Sequence, residues 1–191
     1  MRVFIVVLVL IFSLQSWTKA DDIRDFQIEG MSIGDSLLDF YSKKIIEKSL
    51  RYNYKSDKYL TAEFLDKENF ATYDAININF LKSDSKMIIQ GIHGMKDYNK
   101  IEKCIEDKKN ITNDIKKLFS SAKIDIKNKR THTQDKSGKS FTYDTFIKLQ
   151  SKDFVSISCY DWASNLGFID HLRIAIVNKK FMNWINNEAY E

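Results

Sequence analysis

Two cysteines, three histidines, six glycines and no proline leave this 191-residue chain poor in the residues from which recognisable catalytic and metal sites are built. It contains no C-x-x-C, no H-E-x-x-H and no phosphate-binding glycine loop, which removes the dithiol, zinc and nucleotide chemistries that those spacings support. Neither His93 nor His132 has a cysteine or a second histidine at metal-ligand spacing, so no metal and no cofactor is expected. An excess of one charge is lacking too. The 30 basic and 26 acidic residues are interspersed, and neither nucleic acid nor an anionic membrane has a footprint to bind. After the first twenty residues no apolar run is long enough to cross a bilayer. The missing proline, beside abundant Lys, Asn, Ile, Phe and Tyr, reads as the bias of an AT-rich genome and carries no functional information.

What is present begins with MRVFIVVLVLIFSLQSWTKA. Arg2 supplies a short positive region, residues 3–14 an apolar core, and residues 15–20 a polar end in which Thr18 and Ala20 approximate the small-x-small cleavage pattern. This reads as a secretory signal peptide over 1–20, with a single mature domain over 21–191. Losing Arg2 and Lys19 leaves 28 basic residues against 26 acidic ones, a net charge of +2 over 171 residues. That length suits one domain with a sizeable core. No cysteine follows the cleavage point to carry a lipid anchor.

Periodicity then sets an expected order of helix, three strands, helix, three strands, helix. Ser32 and Asp35 form an S-x-x-D start signal before Leu37, Leu38, Tyr41, Ile45 and Ile46 at helical spacing. Alternation marks strands at 58–64, 72–81 and 87–93, joined by turns too short for parallel crossovers. Residues 97–119 return to helical spacing: Ile101, Cys104, Ile105, Ile111, Ile115, Leu118 and Phe119 fall within an arc of about 140°. Residues 128–140 hold no apolar side chain and read as a loop. Strands follow at 141–150, 153–160 and 168–177, and a short helix over 179–190. The expected fold class is α+β, an antiparallel sheet of about six strands with helices on one face.

The stretch SCYDW at 158–162 raises the question of what Cys159 is for. Alternation puts Cys159 on the same side as Val155 and Ile157, and Cys104 lies inside the apolar arc of its own helix. Each thiol therefore faces the surface its element buries, and an exported chain meets an oxidising compartment, so a Cys104–Cys159 disulfide is expected. A nucleophilic Cys159 would need a partner to make it a thiolate. His171 is a candidate by type, with nothing in the sequence to fix it beside the sulfur.

One polar cluster stands out. Asp161, Trp162, Asp170, His171 and Arg173 surround the turn at 163–167, and on a strand His171 and Arg173 share a face that Asp161 could oppose. The set reads either as an exposed cross-strand group or as a candidate site for a small anionic ligand. Tyr160 and Trp162 would line a groove or plug the end of the sheet. Asn110-Ile111-Thr112 matches a glycosylation sequon, relevant only in a eukaryotic secretory pathway.

The stretches DDIRDFQIEGMSIGDSLLDFY, THTQDKSGKSFTYDTF, ISCYDWASNLGFIDHLRIAI and FMNWINNEAY, most distinctively SCYDW, resemble a group of small exported proteins of AT-rich marine alphaproteobacteria. The resemblance covers most of the mature chain and implies a periplasmic setting without supplying an activity. Over a few residues, FQIEGMSIGDSLLDF also resembles the helix start of small envelope domains of the outer-membrane assembly accessory type and the β-lactamase inhibitor protein type. Their helices pack on an antiparallel sheet. The expected function is non-enzymatic binding of a protein or envelope component, glycan included. The alternative is a small-ligand receptor or enzyme centred on Asp161, Asp170, His171 and Arg173.

Overall fold

The computed structural model describes residues 22–119 and 121–191; the export signal read at 1–20 lies outside them. Among the described residues eight strands form one antiparallel sheet. The first four, β1 (Leu50–Arg51), β2 (Tyr59–Phe64), β3 (Ala75–Leu81) and β4 (Ile89–Asp97), make one meander. The last four, β5 (Lys123–Thr131), β6 (Phe141–Lys148), β7 (Phe154–Asp161) and β8 (His171–Val177), make a second. The two join where β4 pairs with β8, which gives the strand order β1-β2-β3-β4-β8-β7-β6-β5.

Period-two alternation divides the side chains between two faces. On one lie Ile76, Ile78, Phe80, Ile92, Ile147, Val155, Ile157, Cys159, Leu172, Ile174 and Ile176, all buried. Helix α2 (Ile101–Leu118) covers this face, setting Cys104 and Ile115 against it with Phe119 just beyond its end. Each such aliphatic side chain contributes about 1.5–3 kcal/mol when removed from water, so this layer is the main core. Cys104 and Cys159 meet within it as a disulfide, their Cα atoms 6.0 Å apart.

The α+β class and the antiparallel sheet agree with the expectation; the strand count and the placement of helices do not. Helix α3 (Lys179–Asn187) lies on the opposite face, where Phe181 and Trp184 pack on Tyr59 and Val177 in a second, smaller core. Helices therefore cover both faces. Strand β5 was hidden because it is an edge strand, exposed along nearly its whole length and held by pairing with β6 rather than by burial. Its charges suit an edge that must not recruit another strand. Strand β1 has only two residues, too few to show a period.

The helix expected from Ser32 is also absent as such. The Ser32 N–H does donate to Asp35 Oδ2 at 2.8 Å, as the start signal requires. The next backbone groups are then drawn to the start of β4: Leu37 N–H bonds Met87 O, Ile89 N–H bonds Asp35 O, and Gly34 N–H bonds Ile89 O. Tertiary pairing thus overrides local propensity, leaving a single 3-10 turn at Leu37–Asp39 and the six-residue helix α1 (Lys43–Lys48). The segment that resembles an envelope-domain helix start is built mainly of turns.

Candidate binding face of the sheet

Helix α3 covers only one end of its face of the sheet. Where it packs, Gly91 gives room for Phe181, whose ring carbons would stand 3.0 Å from any Cβ placed there. Beyond this contact the same face carries polar and aromatic side chains in cross-strand rows. One row runs Asp97, His171, Tyr160, Thr142, Arg130, from β4 to β5. The next runs Met95, Arg173, Ser158, Asp144, Lys127.

Over β5–β7 these rows form a groove of 230 Å³ with Thr142, Ser156, Ser158 and Tyr160 hydroxyls, the Phe146 ring and a charged pair in its lining. The pair is Asp144 and Arg130. Asp144 Oδ2 accepts from Arg130 Nε at 2.8 Å, from Arg130 Nη2 at 2.5 Å and from Thr142 Oγ1 at 2.9 Å. The carboxylate is buried while half of the arginine side chain stays exposed, so the guanidinium presents its free edge to the groove.

The His132 and Tyr160 rings wall one end of the groove and begin a row of aromatics that continues beyond it. His132, in the turn after β5, lies 4.5 Å from Trp162 and 5.8 Å from Tyr160, centroid to centroid. Tyr160 stacks on His171 at 4.7 Å, and Trp162 meets Phe168 at 4.9 Å. Phe168 is 62% exposed and Ile169 57%, large apolar side chains left in water beside a row of aromatic faces. A further hollow of 450 Å³ separates Trp162, Leu166 and Phe168 from the turn at 134–137.

Toward β4 the face carries a hydrogen-bonded relay. Arg173 Nη2 donates to His93 Nδ1 at 2.8 Å; His93 Nε2 reaches Asn79 Oδ1 at 2.8 Å; Asn79 Nδ2 donates to Thr61 Oγ1 at 2.8 Å. An arginine can only donate, so Nδ1 must accept, and the imidazole is the neutral Nε2–H tautomer. Burial holds His93 well below the ordinary histidine range, and the charge of Arg173 adds to the effect.

The residues singled out from sequence divide between the faces. His171 and Arg173 share the open face, and Trp162 stands 6.3 Å from the His171 ring. Asp161 does not oppose them: Tyr160 pairs with His171, and Asp161, one residue on, points to the α2 face opposite Phe141. Burial raises its pKa, and the nearby Asp170 raises it further. Asp170 is a turn residue, accepting the Trp162 N–H on Oδ1 at 2.8 Å and the Tyr98 N–H on its carbonyl at 2.7 Å. Cys159 is committed to the disulfide on the far side of the sheet. The sequon asparagine Asn110 sits inside α2, and Thr112 is buried with its hydroxyl on Thr145.

Several site residues escaped the sequence reading. Arg130 lies in the stretch read as a loop. His93 falls inside β4 rather than at its end, because Gly94, Met95, Lys96 and Asp97 prolong the strand. The pattern G-x-S-x-G, also passed over, is spelled by Gly30-Met31-Ser32-Ile33-Gly34. It is not a nucleophile elbow here: Ser32 is buried in a turn, bonded through its backbone to Asp35, with no strand-to-helix junction and no histidine bonded to it. Among the described residues no group of three or more His, Cys, Asp or Glu is placed to hold a metal ion, and no helix is long and apolar enough to cross a membrane.

No protein-family model, no curated protein and no solved structure matches this chain.

Proposed function

We propose that this chain is an exported, periplasmic binding domain that holds a glycan of the cell envelope, without chemical conversion, on the open face of its sheet. The observation that carries the reading is the groove over β5–β7, where hydroxyls and a guanidinium edge meet a wall of aromatic rings. Sugars offer both hydroxyls and apolar C–H faces, and a pocket with convergent polar groups beside aromatic side chains answers both. The crosslinked cysteines support an oxidising compartment. Among the described residues the groove holds no nucleophile bonded to a base: Ser156 and Ser158 have no histidine partner, and Asp144 is engaged by Arg130 and Thr142.

The test is a titration of the isotope-labelled mature chain with soluble envelope oligosaccharides and, separately, with envelope proteins, followed by amide shifts. Saturable shifts confined to β5–β8 on the open face, weakened at least tenfold by Tyr160→Ala, are the expected result. Envelope proteins binding there while every oligosaccharide fails would replace the glycan with a protein partner. Shifts elsewhere, or none with either class, would overturn the assignment of this face.

A further inference from the structure

On the other side of the sheet, between α2 and the β5–β6 hairpin, lies a cavity of 320 Å³. Ile105 from the helix and Ile126 from β5 give it apolar walls. Three lysines of α2 also line it: Lys108, Lys109 and Lys116. No carboxylate does.

Lys108 is the unusual member. It is only 7% exposed, and it occupies the middle of the buried helical stripe between Cys104 and Thr112. Its ammonium donates to Thr145 Oγ1 at 3.0 Å, and that hydroxyl is itself bonded to Thr112 Oγ1 at 3.3 Å. An ammonium has three hydrogens to place, and this is its one side-chain partner among the described residues. Asp144, the neighbour of Thr145 in sequence, projects to the opposite face and is engaged by Arg130.

The other lysines of α2 show that acids were within reach. Lys103 pairs with Glu106 and Asp107, and Lys117 pairs with Asp114, all on the solvent side of the helix. The three lysines facing the cavity have no ion pair among the described residues. Burying a cation without an ion-pair partner is costly, and the burial depresses the pKa of Lys108 although the charge of Asp144, across the sheet, opposes the shift. A cationic floor under apolar walls is complementary to a molecule with an anionic head and a hydrocarbon tail. The volume lies at the small end of the range for ligand pockets, about 300–1,000 Å³, which favours a short chain.

We propose that this cavity is a binding site for a single-chain amphiphile with a carboxylate head, its carboxylate taking the unused hydrogens of Lys108. The site is separate from the open face and does not depend on the function proposed for it.

The probes are sodium octanoate, 1-octanol, octyl phosphate and acetate, titrated calorimetrically into the mature chain with its disulfide intact. Octanoate is expected to bind one to one, 1-octanol at least tenfold more weakly, and acetate without saturation. Lys108→Met keeps the packed stem and removes the charge; it is expected to weaken octanoate at least tenfold with an unchanged circular dichroism spectrum. Lys116→Gln, on an exposed position, is expected to weaken it two- to fivefold and guards against a folding defect in the first variant. Amide shifts should centre on α2 and β5. Absence of saturable octanoate binding, equal affinity for the alcohol, indifference to Lys108→Met in a folded protein, or shifts centred on Tyr160 would each overturn the site. Tighter binding of octyl phosphate than of octanoate would overturn the carboxylate assignment.

Discussion

Arg173 and His93 are bonded across the β4–β8 junction, Nη2 to Nδ1 at 2.8 Å, with the imidazole buried and neutral beneath the guanidinium. The pairing works only in one protonation state. A second proton on His93 would leave two donors facing each other in a site closed to water.

This fixes the direction of a pH effect. His93 has a folded pKa depressed from 6.5, so above about pH 6.5 the folded and unfolded chains both hold it neutral and its contribution is complete. As pH falls below 6.5 the unfolded chain takes up a proton that the folded chain refuses, and stability declines. His171 is shifted the same way, chiefly by burial. Urea unfolding between pH 7.5 and 5 should show a slope approaching ~1.4 kcal/mol per pH unit for one such proton. His93→Gln, which retains hydrogen-bonding capacity without titrating, should flatten that slope; an unchanged slope would show that His93 is not its source.

Gly94 and Tyr73 supply a steric test. A Cβ on Gly94 would stand 2.6 Å from two carbons of the Tyr73 ring, which packs against the α2 face of the sheet. The conflict is with the body of a half-buried ring rather than a flexible tip. Gly94→Ala should therefore cost about 1–3 kcal/mol, the usual range for overpacking. Gly138→Ala, with nothing near but a φ of +71°, should cost about 1 kcal/mol through backbone strain alone. Equal denaturation midpoints for Gly94→Ala and the parent would mean that Tyr73 moves aside freely.

The disulfide links positions 55 residues apart in the middle of the main core. The chain-entropy account puts its worth at about 4 kcal/mol, a large share of the ~5–15 kcal/mol of an ordinary domain. The Cys104→Ala, Cys159→Ala double variant should lose about that much in urea unfolding, and peptides digested without reductant should be recovered joined. Free thiols in the freshly isolated native chain would contradict it.

How far the sequence disclosed these features depended on which force placed each residue. Cys104 and Cys159 could be read because burial follows the helix and strand periods, and each sits in phase with its aliphatic neighbours. Strand β5 could not, because its apolar alternation is only two residues long, Ile124 and Ile126, before an exposed polar run that pairing with β6 holds. The turn at Ser32 has a sound local start signal, overruled by partners fifty or more residues away. His171 and Arg173 were correctly placed on one face by alternation, while Asp161 was lost to the same rule, since one residue of register carries a side chain through the sheet. Lys108 lay in plain view inside the apolar arc. A charged residue at the centre of a buried stripe was the available signal, and counting only apolar positions concealed it.

The pairing of β4 with β8 constrains how this chain can assemble. Strand β8 follows every other strand in chain order, yet it occupies the middle of the sheet, with β4 on one side and β7 on the other. A polypeptide delivered from its N-terminal end can close the first meander early. It cannot unite the two halves until residues 171–177 have arrived. Until then β4 and β7 each expose an unsatisfied edge, and the centre of the sheet is its last part to become continuous.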